Sequence, residues 1–285
     1  MSDEMEARVR ADFSRARFKA FLNRARSLLS GQPATLLSYD EIKEKLRIGG
    51  PIYRGLRTVR LDQIAGSLNR YHQFDRAFLP VEDHTAGRWL KIDRAFYKDI
   101  SLPPVVLYKV GQVYFVVDGH HRVSVAREQG QEFIDAEVRE CSTKVNITAD
   151  IKPEDLVILG EKVGFLERTH LDELRPDARV RLTIPDGFDR MLEHIAVHRY
   201  FMGLDLQRDI SEQEAIMDWY DRVYLPIVEV IRESKILQEF PGKTEGDLYL
   251  WVLDHQHYLA EAEGRDLQPP EEAARKFIRK GARKR

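Results

Sequence analysis

Residues 105–130 read VVLYKVGQVYFVVDGHHRVSVAREQG. Two runs of β-branched and aromatic residues flank Gly111, the pattern of a β-hairpin. The second run ends in Asp118-Gly119-His120-His121-Arg122, after which Val123, Val125 and Ala126 begin a helix that closes at Gly130. A strand that passes through a glycine into a helix gathers unpaired amides and the positive end of the helix dipole at one spot. Such a spot attracts phosphate. Gly119 permits a left-handed turn and lets a ligand come close to the backbone. His120, His121 and Arg122 add donors there, and Arg122 can fork onto two phosphate oxygens. Asp118, at the strand end, is a candidate to hold Mg²⁺ or to take the proton of an attacking hydroxyl. The competing reading is purely structural: Asp118 caps the helix and the histidines pack locally.

Working outward, FIDAEV (133–138) is a further strand candidate and RTVRLDQI (57–64) alternates as a strand does. Residues 85–98 form a helix with Trp89, Leu90, Phe96 and Tyr97 as apolar surface, stopped by Leu102-Pro103-Pro104. Residues 51–140 therefore form a small unit of strand, helix, hairpin, helix and strand, with Gly49-Gly50-Pro51 as its leading boundary. Ahead of it, residues 1–50 are a helical arm. Its long helix (5–30) has an apolar face of Phe18, Phe21, Leu22, Ala25, Leu28 and Leu29 and a basic face of Arg15, Arg17, Lys19, Arg24 and Arg26. A short helix follows at 39–47.

Residues 141–268 are mainly helical. Over 141–186 periodicity is weak and Pro153, Pro176 and Pro185 punctuate the chain, with RVRLTI (179–184) as a strand candidate. A helix spans 188–202, and Ser211 with Glu214 opens another as a capping box. Pro226 bends or ends that helix. FPGKT (240–244) is a turn before a helix carrying Leu248, Trp251, Val252 and Leu259. His194 and His198 share a helical face but lack the glutamate of a zinc-protease motif, and read as ordinary helix histidines. Residues 269–285 are a basic tail, read as a solvated end with phosphate-backbone attraction as its alternative. The expected fold class is α+β, a small mixed-sheet domain followed by a mainly helical C-terminal domain.

Composition bounds the function. The chain has 285 residues, 45 Lys+Arg against 47 Asp+Glu, and a formal net charge of -2. A basic footprint over the whole chain is absent, so any nucleic-acid surface is local. The single cysteine, Cys141, excludes an intramolecular disulfide and a cysteine-cluster metal site. No apolar run approaches the ~20 residues that span a bilayer, and the first ten residues, MSDEMEARVR, lack the apolar core of a signal peptide. The expectation is a cytoplasmic protein with no membrane partner.

The stretch YFVVDGHHRVSVAREQG, followed by an apolar strand, resembles the core of the ParB/sulfiredoxin fold. That superfamily includes partition proteins, sulfiredoxins and free serine kinases, whose shared loop at this junction holds nucleotide phosphates. The resemblance covers residues 57–140, about a third of the chain. Sulfiredoxins carry Gly-Cys-His-Arg here, whereas this chain has His120 in the cysteine's place, which argues against their chemistry. The partition proteins carry Gly-Glu-Arg-Arg, and this chain has His120 and His121 instead. The free serine kinases carry Asp-Gly-His-Thr-Arg, and Asp118, Gly119, His120 and Arg122 match four of those five positions. The resemblance implies ATP, ADP or another nucleotide with Mg²⁺, and phosphoryl transfer to a small hydroxylated acceptor or nucleotide hydrolysis. Those kinases also need an upstream acid; the candidates are Asp75, Glu82 and Asp83 in QFDRAFLPVEDHTAGRW, with Glu82 slightly favoured by its apolar neighbour Val81. The alternative is a DNA-binding regulator of the partition type that uses the basic N-terminal helix and the basic tail. A further block, WYDRVYLPIVEVIRES through FPGKTEGDLYLWVLDH, resembles a C-terminal segment of bacterial proteins and implies no activity.

Overall fold

The computed structural model describes residues 2–30, 35–263 and 269–282. The chain divides into two compact units, Met1–Leu156 and Val157–Arg285. The protein is α+β, as its patterning predicts. The division falls near residue 156, not at 50 and 140, and the physical reason lies in the first fifty residues. Helix α1 (Ser2–Ser30) is no separate arm. It lays Val9, Ala16 and Ala20 into the first unit, and its Phe13 ring meets Trp89 at 5.4 Å between centroids. Next come strand β1 (Leu37–Ser38), helix α2 (Tyr39–Lys45), strand β2 (Pro51–Arg60) and strand β3 (Ile64–Ser67). Helix α3 (Ala86–Tyr97), the hairpin of β4 (Val105–Val110) and β5 (Val113–Asp118), helix α4 (His120–Glu128) and strand β6 (Phe133–Cys141) complete the unit.

The sheet has the order β1-β3-β5-β4-β6-β2. Strands β1, β3 and β5 are mutually parallel neighbours, so their carboxyl ends share one edge of the sheet. The β4–β5 hairpin is antiparallel and lies at the centre, flanked by β6 parallel to β4. Alternation sorts the side chains. Val105, Leu107 and Val116 join Phe74, Phe78, Val123 and Ala126 in a core on the face covered by α4. On the opposite face Tyr39 of α2 packs edge-on against Tyr108 and Phe115 at 5.1 and 5.7 Å. Its hydroxyl lies 3.4 Å from the buried thiol of Cys141.

The second unit is helical. Its helices are α5 (Pro153–Thr169), α6 (Leu171–Leu174), α7 (Gly187–Leu206), α8 (Glu212–Trp219), α9 (Leu225–Ser234), α10 (Glu245–Glu263) and α11 (Pro270–Ala282). Of the predicted capping box the serine half forms: the Ser211 hydroxyl accepts from the Glu214 amide at 3.1 Å, while the Glu214 carboxylate pairs with Arg208 at 3.0 Å. Pro226 does not end the helix. A wider π turn over Tyr220–Tyr224 carries α8 into α9, with the proline in the first turn, where its missing N–H costs least. The core is aromatic: Phe165, Phe188, Trp219, Tyr224 and Tyr249 are fully buried, and the Trp219 indole donates to the Tyr249 hydroxyl at 2.9 Å.

Three expectations fail in this unit. Residues 179–184 form no strand; they run extended beside the start of α10. There the buried Asp247 accepts from the Thr183 amide and hydroxyl, each at 2.8 Å. A strand needs a neighbour to pair with, and none lies alongside among the described residues. The weakly periodic stretch contains a full helix, α5, which starts at Pro153 rather than breaking there. The basic tail is not loose over residues 270–282. It is helix α11, whose Ala273 and Ala274 are buried and whose Phe277 and Ile278 pack on the aromatic core. Arg283, Lys284 and Arg285 lie outside the described residues.

Candidate phosphate site

The parallel strands decide the site. In open sheets, ligands bind beyond the carboxyl ends of parallel strands, and here β3 and β5 end side by side. From β5 the chain turns at Gly119, whose φ of 97° is left-handed, straight into α4. The first amides of α4 have no partner inside the helix. From β3 the chain runs through Ser67 to Arg70, which faces the α4 N-terminus.

The four residues of the loop then part company. His120 is buried, with a ring nitrogen 2.8 Å from the Ser67 hydroxyl. Phe74 stacks on its ring at 6.1 Å. The Ser67 hydroxyl also accepts from the Arg70 amide at 3.2 Å. Through the imidazole–hydroxyl bond His120, at the start of α4, is tied to Ser67 at the end of β3. Arg122 also turns away from the sheet edge. Its guanidinium donates to the carbonyls of Pro103 and Pro104 and to the carboxylate of Asp118. It clamps the loop before β4. We therefore expect Arg122→Ala to destabilise the first unit by about 1–3 kcal/mol, the cost of leaving partly buried partners unpaired, while ligand affinity changes little. Urea unfolding beside calorimetric titration checks this, and a lost affinity at unchanged stability would contradict it.

His121 is the residue of the loop with an unpartnered ring nitrogen. Its Nδ1 is buried and has no hydrogen-bond partner. Phe74 meets its ring edge-on at 5.4 Å. Burial first, then the charges of Arg70, Arg88 and His84, hold its pKa down to about 4. An imidazole with an unused nitrogen among three cationic or basic side chains is a place for an anion. His84 and Arg88 come from the polar segment picked out in the sequence. Arg70 was missed there, because only the pairing of β3 with β5 brings it to the loop. The available signal was its position just beyond a short β-like run.

The candidate acids separate in the same way. Asp75 is buried, accepting from the amides of Ala77 and Leu79 at 2.9 and 2.8 Å and from the Asn23 side chain at 2.9 Å. Burial raises its pKa. It pins the loop to α1. Glu82 lies on the loop beside His84, 3.2 Å from its ring. The side chain of Asp83 lies outside the described residues. Asp118 is 72% exposed and is held by Arg122. Among the described residues no three histidine, cysteine, aspartate or glutamate side chains converge on a metal position. Mg²⁺ in nucleotide sites is commonly held by phosphates and one or two carboxylates, a requirement that Asp118 fits as a single ligand. His194 and His198 hold no joint site: the first meets the Tyr249 hydroxyl at 3.2 Å and the second the Asp218 carboxylate at 2.8 Å.

Residues 188–281 match the model of a domain of unknown function, DUF4032. The match covers about a third of the chain and runs from α7 to α11, within the helical unit; it does not reach the sheet edge described above. No curated protein matches the chain. No helix among the described residues is long and apolar enough to cross a membrane.

The depressed histidines have a consequence for stability. His120 and His121 both have pKa values of about 4 in the folded chain, against about 6.5 when unfolded. As the pH falls from about 6.5 toward 4, the unfolded chain binds protons that the folded one refuses, so stability falls. The upper limit is about 1.4 kcal/mol per pH unit for each histidine, partly offset by the buried Asp75 and Asp93, whose pKa values are raised. The urea midpoint is expected to be lower at pH 5 than at pH 7, and His121→Gln should flatten that slope. A midpoint that rises on acidification would refute the assignment.

Proposed function

We propose that this protein binds the phosphate groups of a nucleotide at the carboxyl end of β3 and β5. One observation carries the reading: the orphaned, buried Nδ1 of His121 sits amid Arg70, Arg88 and His84, beside the open amides of α4. The resemblance of the Asp118–Arg122 stretch to the loop of the free serine kinases supports the same ligand class. In this reading Gly119 and the amides after it take phosphate oxygens, and Arg70 and Arg88 neutralise their charge. His121 takes up a proton as the anion arrives. Asp118 would exchange its Arg122 partner for a nucleotide-borne Mg²⁺, or orient an attacking hydroxyl. Phosphoryl transfer to a small hydroxylated acceptor, or nucleotide hydrolysis, is the chemistry such a set of groups would serve. His120 and Arg122 belong to the frame of the site rather than to its ligand contacts.

The test is a thermal-shift and calorimetric panel of ATP, ADP, CTP, GTP and pyrophosphate, with and without Mg²⁺. A specific ligand at a hundred times its dissociation constant stabilises the fold by about 2.7 kcal/mol. Binding should be accompanied by proton uptake, read from buffers of different ionisation enthalpy. If none of the five compounds binds, the reading fails.

A further inference from the structure

Helix α1 has two apolar faces, and only one of them is used. At 3.6 residues per turn, Val9, Ala16 and Ala20 lie on the side packed into the first unit, together with Asn23, which holds Asp75. Phe18, Phe21, Leu22, Ala25, Leu28 and Leu29, the apolar face read from periodicity, lie on the outer side, where Phe18, Phe21 and Leu28 border a groove with His72, Phe74 and Val81. They face solvent: Phe18 is 59% exposed, Phe21 66%, Leu28 83% and Leu29 90%. The packed face sets Phe13, Ala16 and Ala20 against Trp89, Leu79 and Val125, which leaves the larger stripe outside.

The outer face continues toward the N-terminus in a different character. There it presents Ala7, Ala11 and Ser14, all exposed, preceded by the exposed acids Asp3 and Glu4. From residue 13 to residue 30 the helix has no acidic residue, and Arg24 and Arg26 flank the large apolar stripe on its two sides. One outer face is thus small and acidic at one end, large and basic at the other. It is complementary to itself when reversed.

We propose that this face is the contact between two copies of the chain, with the two α1 helices antiparallel across a two-fold axis. In that register Phe18 lies over Ala11 of the second copy and Leu22 over its Ala7. Large side chains then fill the space above small ones, as close helix packing requires. Asp3 and Glu4 of each copy lie near Arg24 and Arg26 of the other. The cations near the middle are paired within their own copy: Arg10 with Glu6 at 3.6 Å, and Arg15 with Asp12 and with Glu128 at 3.2 Å. The residues of one face meet the same face, so the assembly closes at two. A parallel pairing would stack Arg24 and Arg26 on their own copies and is disfavoured by charge.

Sedimentation equilibrium on the full chain tests this. The wild type should be a dimer at about 10 µM, a concentration at which micromolar association is populated. Phe18→Glu, on the outer face, should leave circular dichroism unchanged and weaken association at least a hundredfold. Glu4→Arg should weaken it about tenfold, and adding Arg26→Glu should restore it, a rescue that only the antiparallel register provides. A wild-type chain that stays monomeric, a dimer indifferent to Phe18→Glu, or a charge swap without rescue would each overturn the proposal. So would a monomer that binds vesicles of anionic lipid through the stripe.

Discussion

Gly119→Ala is expected to cost the first unit about 2–5 kcal/mol. Two effects add. The left-handed conformation at φ 97° costs a residue with a side chain about 1–2 kcal/mol. The added Cβ would also stand 2.5 Å from Val105 Cγ1 and 2.9 Å from Val105 Cβ, where core side chains have no room to retreat. Overpacking of that kind costs about 1–3 kcal/mol. For a unit of this size the melting temperature should fall by about 10 °C. Gly87→Ala is the control. That glycine is in α3, its added Cβ meets nothing within 4 Å, and its φ is ordinary. The control should be neutral or slightly stabilising. If Gly119→Ala melts with the wild type, the strand-to-helix turn is not the tight junction described.

Replacing Arg70 and Arg88 together by alanine should abolish nucleotide and pyrophosphate binding at accessible concentrations. Each charge-assisted hydrogen bond contributes about 1.5–3 kcal/mol, so the double variant should lose ~10²-fold or more even if the two are not additive. The fold should persist, because Arg88 is exposed on α3 and Arg70 is half-buried in the turn after β3. The variant carries its own spectroscopic check. Arg70 and Arg88 are the leading charges that depress the His121 pKa after burial, so their removal should raise that pKa, read by NMR titration of the ring. A raised pKa with unchanged affinity would show that the cations surround His121 as described and that the phosphate goes elsewhere. The Arg122→Ala variant supplies the contrast, with stability lost and affinity kept.

The hairpin at Gly111, the turn at Gly119 and helix α4 were legible because local chemistry alone forces them. Alternating β-branched residues need a pleated surface, and a glycine between strand and helix has few other uses. The helices of the second unit were legible for the same reason, from the capping box at Ser211 and the spacing of Trp219, Tyr220 and Tyr224. The roles within the loop were not. Asp118, His120, His121 and Arg122 are equally polar in sequence, and only their directions separate them. His120 turns inward onto Ser67 and Arg122 onto the Pro103 and Pro104 carbonyls, which leaves His121 with the free nitrogen.

Helix α1 marks the limit of periodicity most clearly. A helix with apolar residues on both sides gives a valid pattern for either, and the larger residues draw the eye. Which side packs is set by the partners it meets, and Phe13, Ala16 and Ala20 find Trp89, Leu79 and Val125. Asp75 and the segment 179–184 follow the same logic, since a carboxylate becomes a structural acceptor, and an extended run fails to be a strand, through partners distant in the chain. The fold class, the central hairpin and the position of the strand-to-helix turn are readable from the residues alone, because those follow from contacts within a few residues. The tertiary structure alone decided that Arg70 joins His121, that Asp75 is buried and that the tail is a packed helix. Those facts depend on pairings between residues tens of positions apart, which no local pattern encodes.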